Sequence, residues 1–153
     1  MKTILAPVDF SAASEAVLTQ AIELARALGG RVMLITVIQP PVITNEYAAL
    51  MENLAEVMAA GERNAARRLA ELEQRVRAAQ VPVETVQLNG PPVRMILDQA
   101  ARVAADYVVM GSHGHTALYD LLVGSTTHGV LLRAPCPVVI TPGPKAAKAT
   151  RAP

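Results

Sequence analysis

Hydrophobic residues come in two textures along this chain. Short β-rich runs occur at Thr3–Val8, Arg31–Ile38, Val81–Leu88, Asp106–Met110 and Pro137–Thr141. Several of them, such as Tyr107-Val108-Val109-Met110 and Val138-Val139-Ile140, are apolar without alternation. Unbroken apolarity is how a strand covered on both faces reads. Between the runs, apolar residues return every three or four positions, the spacing of one helix face. Strand and helix alternate throughout, which predicts an α/β domain with a mainly parallel sheet.

The first helix is expected to start after Ser11 as N-cap, with Glu15 in its dipole-favoured first turn. It carries Val17, Ala21, Ile22, Leu24, Ala25 and Leu28 before Gly29-Gly30 ends it. From Ala48 to Gln80 the helical spacing runs on through Leu50, Leu54, Val57, Met58, Ala65, Leu69, Leu72 and Val76. One straight helix over that stretch would measure about 50 Å, long for a domain of this size. Gly61 is the expected interruption, leaving Pro40–Ala60 as a mobile excursion and Glu62–Gln80 as the packed helix; a continuous helix overhanging the body is the alternative. Pro91-Pro92 opens a third helix whose inner face is Val93, Ile96, Leu97, Ala100, Ala101 and Val103. A last helix is expected from about Ala117 to Leu132, before Pro135. Residues 1–142 thus read as one domain and 143–153 as a flexible basic tail.

Composition narrows the function. The chain has 153 residues, enough to bury one core without staples, and its single Cys136 excludes an internal disulfide. Only 3% of residues are aromatic and there is no Trp, so stacking platforms for single-stranded nucleic acid are not expected. Net charge is +1, and Lys145, Lys148 and Arg151 in the tail account for more than that excess, so the body has no basic field for a phosphate backbone. Apolar runs fall far short of the roughly 20 residues that span a bilayer, and Asp9 interrupts the N-terminus before a signal-peptide core could form. A cytoplasmic location without membrane contact is the resulting expectation.

The chemically informative segment is Met110-Gly111-Ser112-His113-Gly114, continuing to Val123-Gly124-Ser125-Thr126-Thr127. Gly111 and Gly114 let the backbone turn sharply at the carboxyl end of the fourth strand, where ligands of open α/β sheets bind. Gly124, Ser125 and Thr126 fall inside or at the start of the next helix, where amides and small hydroxyls suit phosphate oxygens. The competing reading is that Gly111 and Gly114 only shape a tight loop and Gly124 only permits close helix packing. No Gly-x-Gly-x-x-Gly follows a strand, and Gly124 and Gly129 have P-loop spacing but precede Val130-Leu131, so neither standard phosphate motif is present. Asp9, at the end of the first strand, can accept ribose or base hydrogen bonds, or can cap the first helix beside Ser11. His113-x-His115 with His128 has no Cys or Glu to complete a protein metal site, whereas Mg²⁺ or Mn²⁺ can arrive on nucleotide phosphates. Cys136, between two prolines, reads as a buried small hydrophobe.

Gly111-x₂-Gly114-x₉-Gly124-Ser125, together with Pro7-Val8-Asp9-x-Ser11 and Ala134-Pro135-Cys136-Pro137-Val138, resembles the ATP-binding branch of the universal stress protein family over residues 2–141. The resemblance implies a Rossmann-like three-layer sandwich on a five-stranded parallel sheet in the order 3-2-1-4-5. It also implies ATP held between strands one and four, and a homodimer through the strand Pro137–Thr141. Carried over by position, it places Pro7, Val8 and Asp9 beside the nucleoside and Val37 against adenine. Met110, Gly111, His113 and Gly114 would line the ribose and first phosphates, and Gly124, Ser125 and Thr126 the terminal ones. The sequence departs from the family where His113 and Asp120 stand at positions often basic. Neutral His is a weaker phosphate partner than Arg, and its help depends on pH.

The function implied is a nucleotide-dependent stress or signalling switch, with slow ATP hydrolysis as an accompaniment. Two alternatives stand beside it: an ATP-using enzyme, either an ATPase or an adenylyl-transfer protein, and an interaction module that binds no nucleotide. The phosphate segment contains no Lys, and Asp120 is its one carboxylate, which offers no compelling general base.

Overall fold

The computed structural model describes residues 1–40, 51–113 and 123–144, with side chains from residue 53 in the second stretch. The described elements run β1 (Thr3–Pro7), α1 (Ala13–Leu28), β2 (Arg31–Ile38), α2 (Met51–Ala78), β3 (Val83–Asn89), α3 (Pro92–Arg102), β4 (Tyr107–Gly111), α4 (Ser125–Leu131) and β5 (Val138–Thr141). The strands form one five-stranded sheet in the order β3-β2-β1-β4-β5. Every neighbouring pair is parallel, with Thr3 opposite Arg31, Ile4 opposite Tyr107, Val32 opposite Val83 and Val108 opposite Val138. The strand order read from the resemblance is the observed one.

Both faces of the sheet are covered, which explains the unbroken apolar strands. Ile4, Ala6, Val32, Leu34 and Val109 pack with Val17, Leu18, Ala21 and Ala25 of α1 and with Leu69, Leu72 and Val76 of α2. Leu5, Met33, Ile35, Val108 and Met110 pack on the other face with Ile96 and Ala100 of α3 and Val130 of α4. Neighbours along one strand thus serve opposite cores, and each large side chain buried there stabilises the fold by about 1.5–3 kcal/mol.

The helix ends follow their residues. Gly29 stands in the left-handed region at φ 60° and donates its amide to the α1 carbonyls, as the Gly-Gly stop predicts. A Cβ on Gly30 would lie 2.5 Å from the Lys2 carbonyl oxygen, so only glycine lets β2 start this close to β1. Pro91 is the N-cap of α3 and Pro92 its first residue.

Two expectations are corrected. α2 is continuous over 28 residues through Gly61, about 42 Å in length, so the uninterrupted helix is the arrangement found. A Cβ on Gly61 would touch nothing within 4 Å, and Val57 is 65% exposed. This glycine therefore costs the helix only its propensity deficit, about 1 kcal/mol. The residues expected in the excursion at 41–50 lie outside the described ones. Second, Ser11 does not cap α1: the N-cap is Ala12, with no side-chain cap bond, and the Ser11 hydroxyl is buried without a partner among the described residues. Asp9 has taken over the turn, accepting the Ser11 amide and the Ser14 hydroxyl. The last helix, expected from about Ala117, starts instead at Ser125, because Gly124 before it is an extended N-cap at ψ 160°; residues 117–122 and the tail from 145 onward lie outside the described ones.

Candidate functional site

In this strand order β1 connects outward to β2 on one side while β4 lies on the other, so the chain diverges at the carboxyl ends of β1 and β4. Such a switch point leaves a crevice that neither crossover helix fills. Here it has a volume of about 430 Å³.

The first wall comes from β1 and the turn after it. Pro7, Val8, Asp9 and Phe10 line the crevice, and the Val8 amide donates to the Ile35 carbonyl at 2.8 Å, which fixes the strand end. Asp9 Oδ1 accepts the Ser11 amide at 3.0 Å and the Ser14 hydroxyl at 3.3 Å. The carboxylate therefore shapes the entry into α1, so the capping reading of Asp9 describes one of its tasks. Beside it, Thr36, Val37, Ile38 and Gln39 at the end of β2 give an apolar wall with polar ends, and Ala65 of α2 and Ile96 of α3 close the sides.

The second wall comes from β4 and α4. Met110, Gly111 and His113 line it, together with Gly124, Ser125, Thr126 and Thr127. The Gly124 amide donates to the Ser112 carbonyl at 2.6 Å, the Thr127 hydroxyl to the Gly111 carbonyl at 2.8 Å, and the Ser112 amide to the Thr141 carbonyl at 2.9 Å. These bonds tie the start of α4 and the end of β5 to the turn leaving β4. The Ser112 hydroxyl and His113 Nδ1 are 2.7 Å apart, which orients the imidazole.

All the residues nominated from the sequence meet at this crevice except Gly114, which lies outside the described residues with the rest of 114–122. Two refinements concern the glycines. The Gly124 amide is committed to Ser112, so amide donors for an anion must come from Ser125, Thr126 and Thr127, which lack intrahelical acceptors. Close packing is the task of other glycines. A Cβ on Gly129 would lie 2.8 Å from Val93 Cγ2, and one on Gly111 would lie 3.0 Å from Ala13 Cβ, whereas one on Gly124 would meet its nearest neighbour at an ordinary 3.5 Å. The packing alternative for Gly124 is thereby not what the structure has.

Sequence reasoning missed Phe10, Thr36 and Thr127. Thr127 stands next to the nominated hydroxyls and was findable; Phe10 and Thr36 gave no signal beyond their place at strand ends.

Among the described residues no Lys or Arg lines the crevice, and 114–122 contain none. No group of three or more His, Cys, Asp or Glu suited to a metal ion occurs among the described residues, and no described helix is long and apolar enough to cross a membrane. Cys136 is half-buried, not fully buried as expected, and packs against the core beside α3 and α4. Desolvation pushes its thiol above the usual value, which suits packing better than nucleophilic work.

Comparison with known proteins places this geometry. The sequence profile described as "Universal stress protein family" matches residues 1–142. Universal stress protein A homolog 1 of Coxiella burnetii is 32% identical over 142 residues, covering 90% of this chain and 94% of that protein. The structure of universal stress protein UspA from Lactobacillus plantarum superposes with a TM-score of 0.81 at 28% identity, over 91% of this chain and 96% of that one. Two further structures, both 25% identical over 92% of this chain, are a universal stress protein in complex with cAMP (TM-score 0.64, 95% of that chain) and one from Archaeoglobus fulgidus in complex with dAMP (TM-score 0.63, 96% of that chain).

Proposed function

The chain belongs to the universal stress protein family, and on that footing we propose that it binds an adenine nucleotide, ATP foremost, in the crevice between β1 and β4 and acts as a nucleotide-dependent switch in the cytoplasm. The observation that carries this reading is the junction itself. Two segments about a hundred residues apart, Pro7–Asp9 and Gly111 with Gly124–Thr126, form facing walls of one crevice. One wall is apolar with a carboxylate at its rim, suited to a nucleoside; the other presents hydroxyls and first-turn amides, suited to phosphate oxygens. That two family structures carry adenine mononucleotides supports the choice of base.

The absence of Lys and Arg among the described lining residues bears on the metal and on the chemistry. A triphosphate here needs its charge offset from elsewhere, and Mg²⁺ or Mn²⁺ held on the phosphates, with Ser125 or Thr126 hydroxyls as neighbours, would supply that. The same absence, with Asp9 engaged by Ser11 and Ser14, means that the described lining residues supply no cationic side chain to speed phosphoryl transfer. Binding with at most slow hydrolysis is the consequence. A homodimer through β5 completes the reading, because β5 is an edge of the sheet.

Mass spectrometry of small molecules released on denaturing freshly purified protein should find an adenine nucleotide. A chain that releases none and takes up no added ATP would leave the interaction-module alternative. Multiple-turnover assays with Mg²⁺ should give slow or no phosphate release, and rapid turnover would favour the enzyme alternative.

A further inference from the structure

Phe10 adopts φ 61°, the left-handed region that bulky residues rarely enter. It does so at the crevice rim, directly after Asp9. What holds it there comes from a distant part of the chain. The Arg68 guanidinium carbon lies 4.7 Å from the centroid of the Phe10 ring, and Arg68 Nη2 donates to the Phe10 carbonyl at 3.1 Å. One side chain thus grips both ends of the strained residue, its ring by a cation–π contact and its backbone by a charged donor. The grip is anchored at both sides. Ala65 and Leu69, flanking Arg68 on α2, are buried. Two turns along, Arg75 makes a bidentate pair with Glu15 of α1 at 2.7 Å to each carboxylate oxygen.

We infer that Arg68 is a positioning residue for the nucleotide crevice, holding Phe10 in its left-handed conformation so that Asp9 and the β1–α1 turn keep the shape of the nucleoside wall. This rests on the nucleotide reading above. Arg68 itself is exposed and does not line the crevice, so its effect on a ligand passes through Phe10. Without it, Phe10 is free to relax toward negative φ, and the turn that Asp9 organises loses its fixed register.

Phe10 is the only phenylalanine in the chain, so protein labelled with 4-fluorophenylalanine gives a single fluorine resonance from this ring. In the full chain, Arg68→Ala is expected to shift or broaden that resonance while the far-ultraviolet circular dichroism stays that of the parent. Calorimetric titration with ATP and Mg²⁺ should then show affinity weakened roughly three- to tenfold in Arg68→Ala. Arg68→Lys, which keeps a cation over the ring and a donor for the carbonyl, should recover most of it. A parent that binds ATP beside an Arg68→Ala that binds it equally well, or an unmoved fluorine resonance, overturns the positioning role and leaves the nucleotide reading intact. A parent that binds no ATP overturns the nucleotide reading and the positioning role with it, and the resonance then reports only whether Arg68 sets the ring.

Discussion

The Thr127 hydroxyl donates to the Gly111 carbonyl at 2.8 Å, joining the first turn of α4 to the last residue of β4 within the lining of the crevice. Thr127 is buried and the Gly111 carbonyl lines the crevice, so a substitution that removes the donor loses this bond while leaving the carbonyl open to water. Thr127→Val should lower the unfolding free energy by about 0.5–1.5 kcal/mol, and Thr127→Ser should lose much less. Urea denaturation of the three proteins measures both; a smaller loss in Thr127→Val than in Thr127→Ser would mean that the methyl group, not the bond, is what matters.

Asp106 gives a prediction in pH. The Lys2 ammonium, bonded to it at 2.8 Å, and the Thr3 amide hold its carboxyl below the usual carboxylate range. A folded-state value below the unfolded one means the contribution is fully present above the unfolded value and disappears as pH falls through the folded one. Asp106→Asn should therefore be less stable than the parent at about pH 7, with the gap closing as pH falls below the ordinary aspartate range. Urea midpoints across that range test it, and a gap that persists unchanged into acid would contradict the ion-pair account.

How much of this was legible in the sequence depends on the range of the interaction involved. The strands were readable because both faces of the sheet are buried, which leaves runs such as Tyr107–Met110 without polar positions. The α2 helix was misjudged at Gly61 because a glycine reads as a break, and the open space around it, which makes the residue tolerable, is a tertiary fact. Ser11 was misplaced as a cap because Asp9, two residues earlier, captures the Ser11 amide and the Ser14 hydroxyl. In the site, the glycines and hydroxyls of one segment were visible as a local pattern. The contact between Arg68 and Phe10 spans 58 residues and leaves no periodic trace.

The edge strand yields a test of assembly. Pro137 and Thr141 carbonyls accept from Val108 of β4 and from Ser112 just after it, so alternation turns the Val138 and Ile140 amides toward the open edge. The side chains of Val138, Val139 and Ile140 all pack against the body, which makes the backbone the natural contact and a Val139→Lys change a risk to the core. Ile140→Pro removes an outward donor without touching the bonds to β4, at a position where edge strands tolerate proline, and because it also trims a side chain packed on the core its fold is checked by circular dichroism. Light scattering should show a dimeric parent and a folded, monomeric variant. A monomeric parent would refute the dimer, and a dimeric variant would move the contact elsewhere.

The most direct test of the central claim is calorimetric titration of ATP with Mg²⁺ into the parent and into Gly124→Val. A Cβ at position 124 would meet its nearest neighbour, the Ser112 carbonyl oxygen, at 3.5 Å, so the variant has room to fold and can be checked by its unchanged circular dichroism. The valine methyl groups would stand where Gly124 lines the crevice. The account predicts saturable binding by the parent and a loss of at least about tenfold, or about 1.4 kcal/mol, in the folded variant. Equal affinity in both proteins would place the nucleotide elsewhere and contradict the assignment of this crevice.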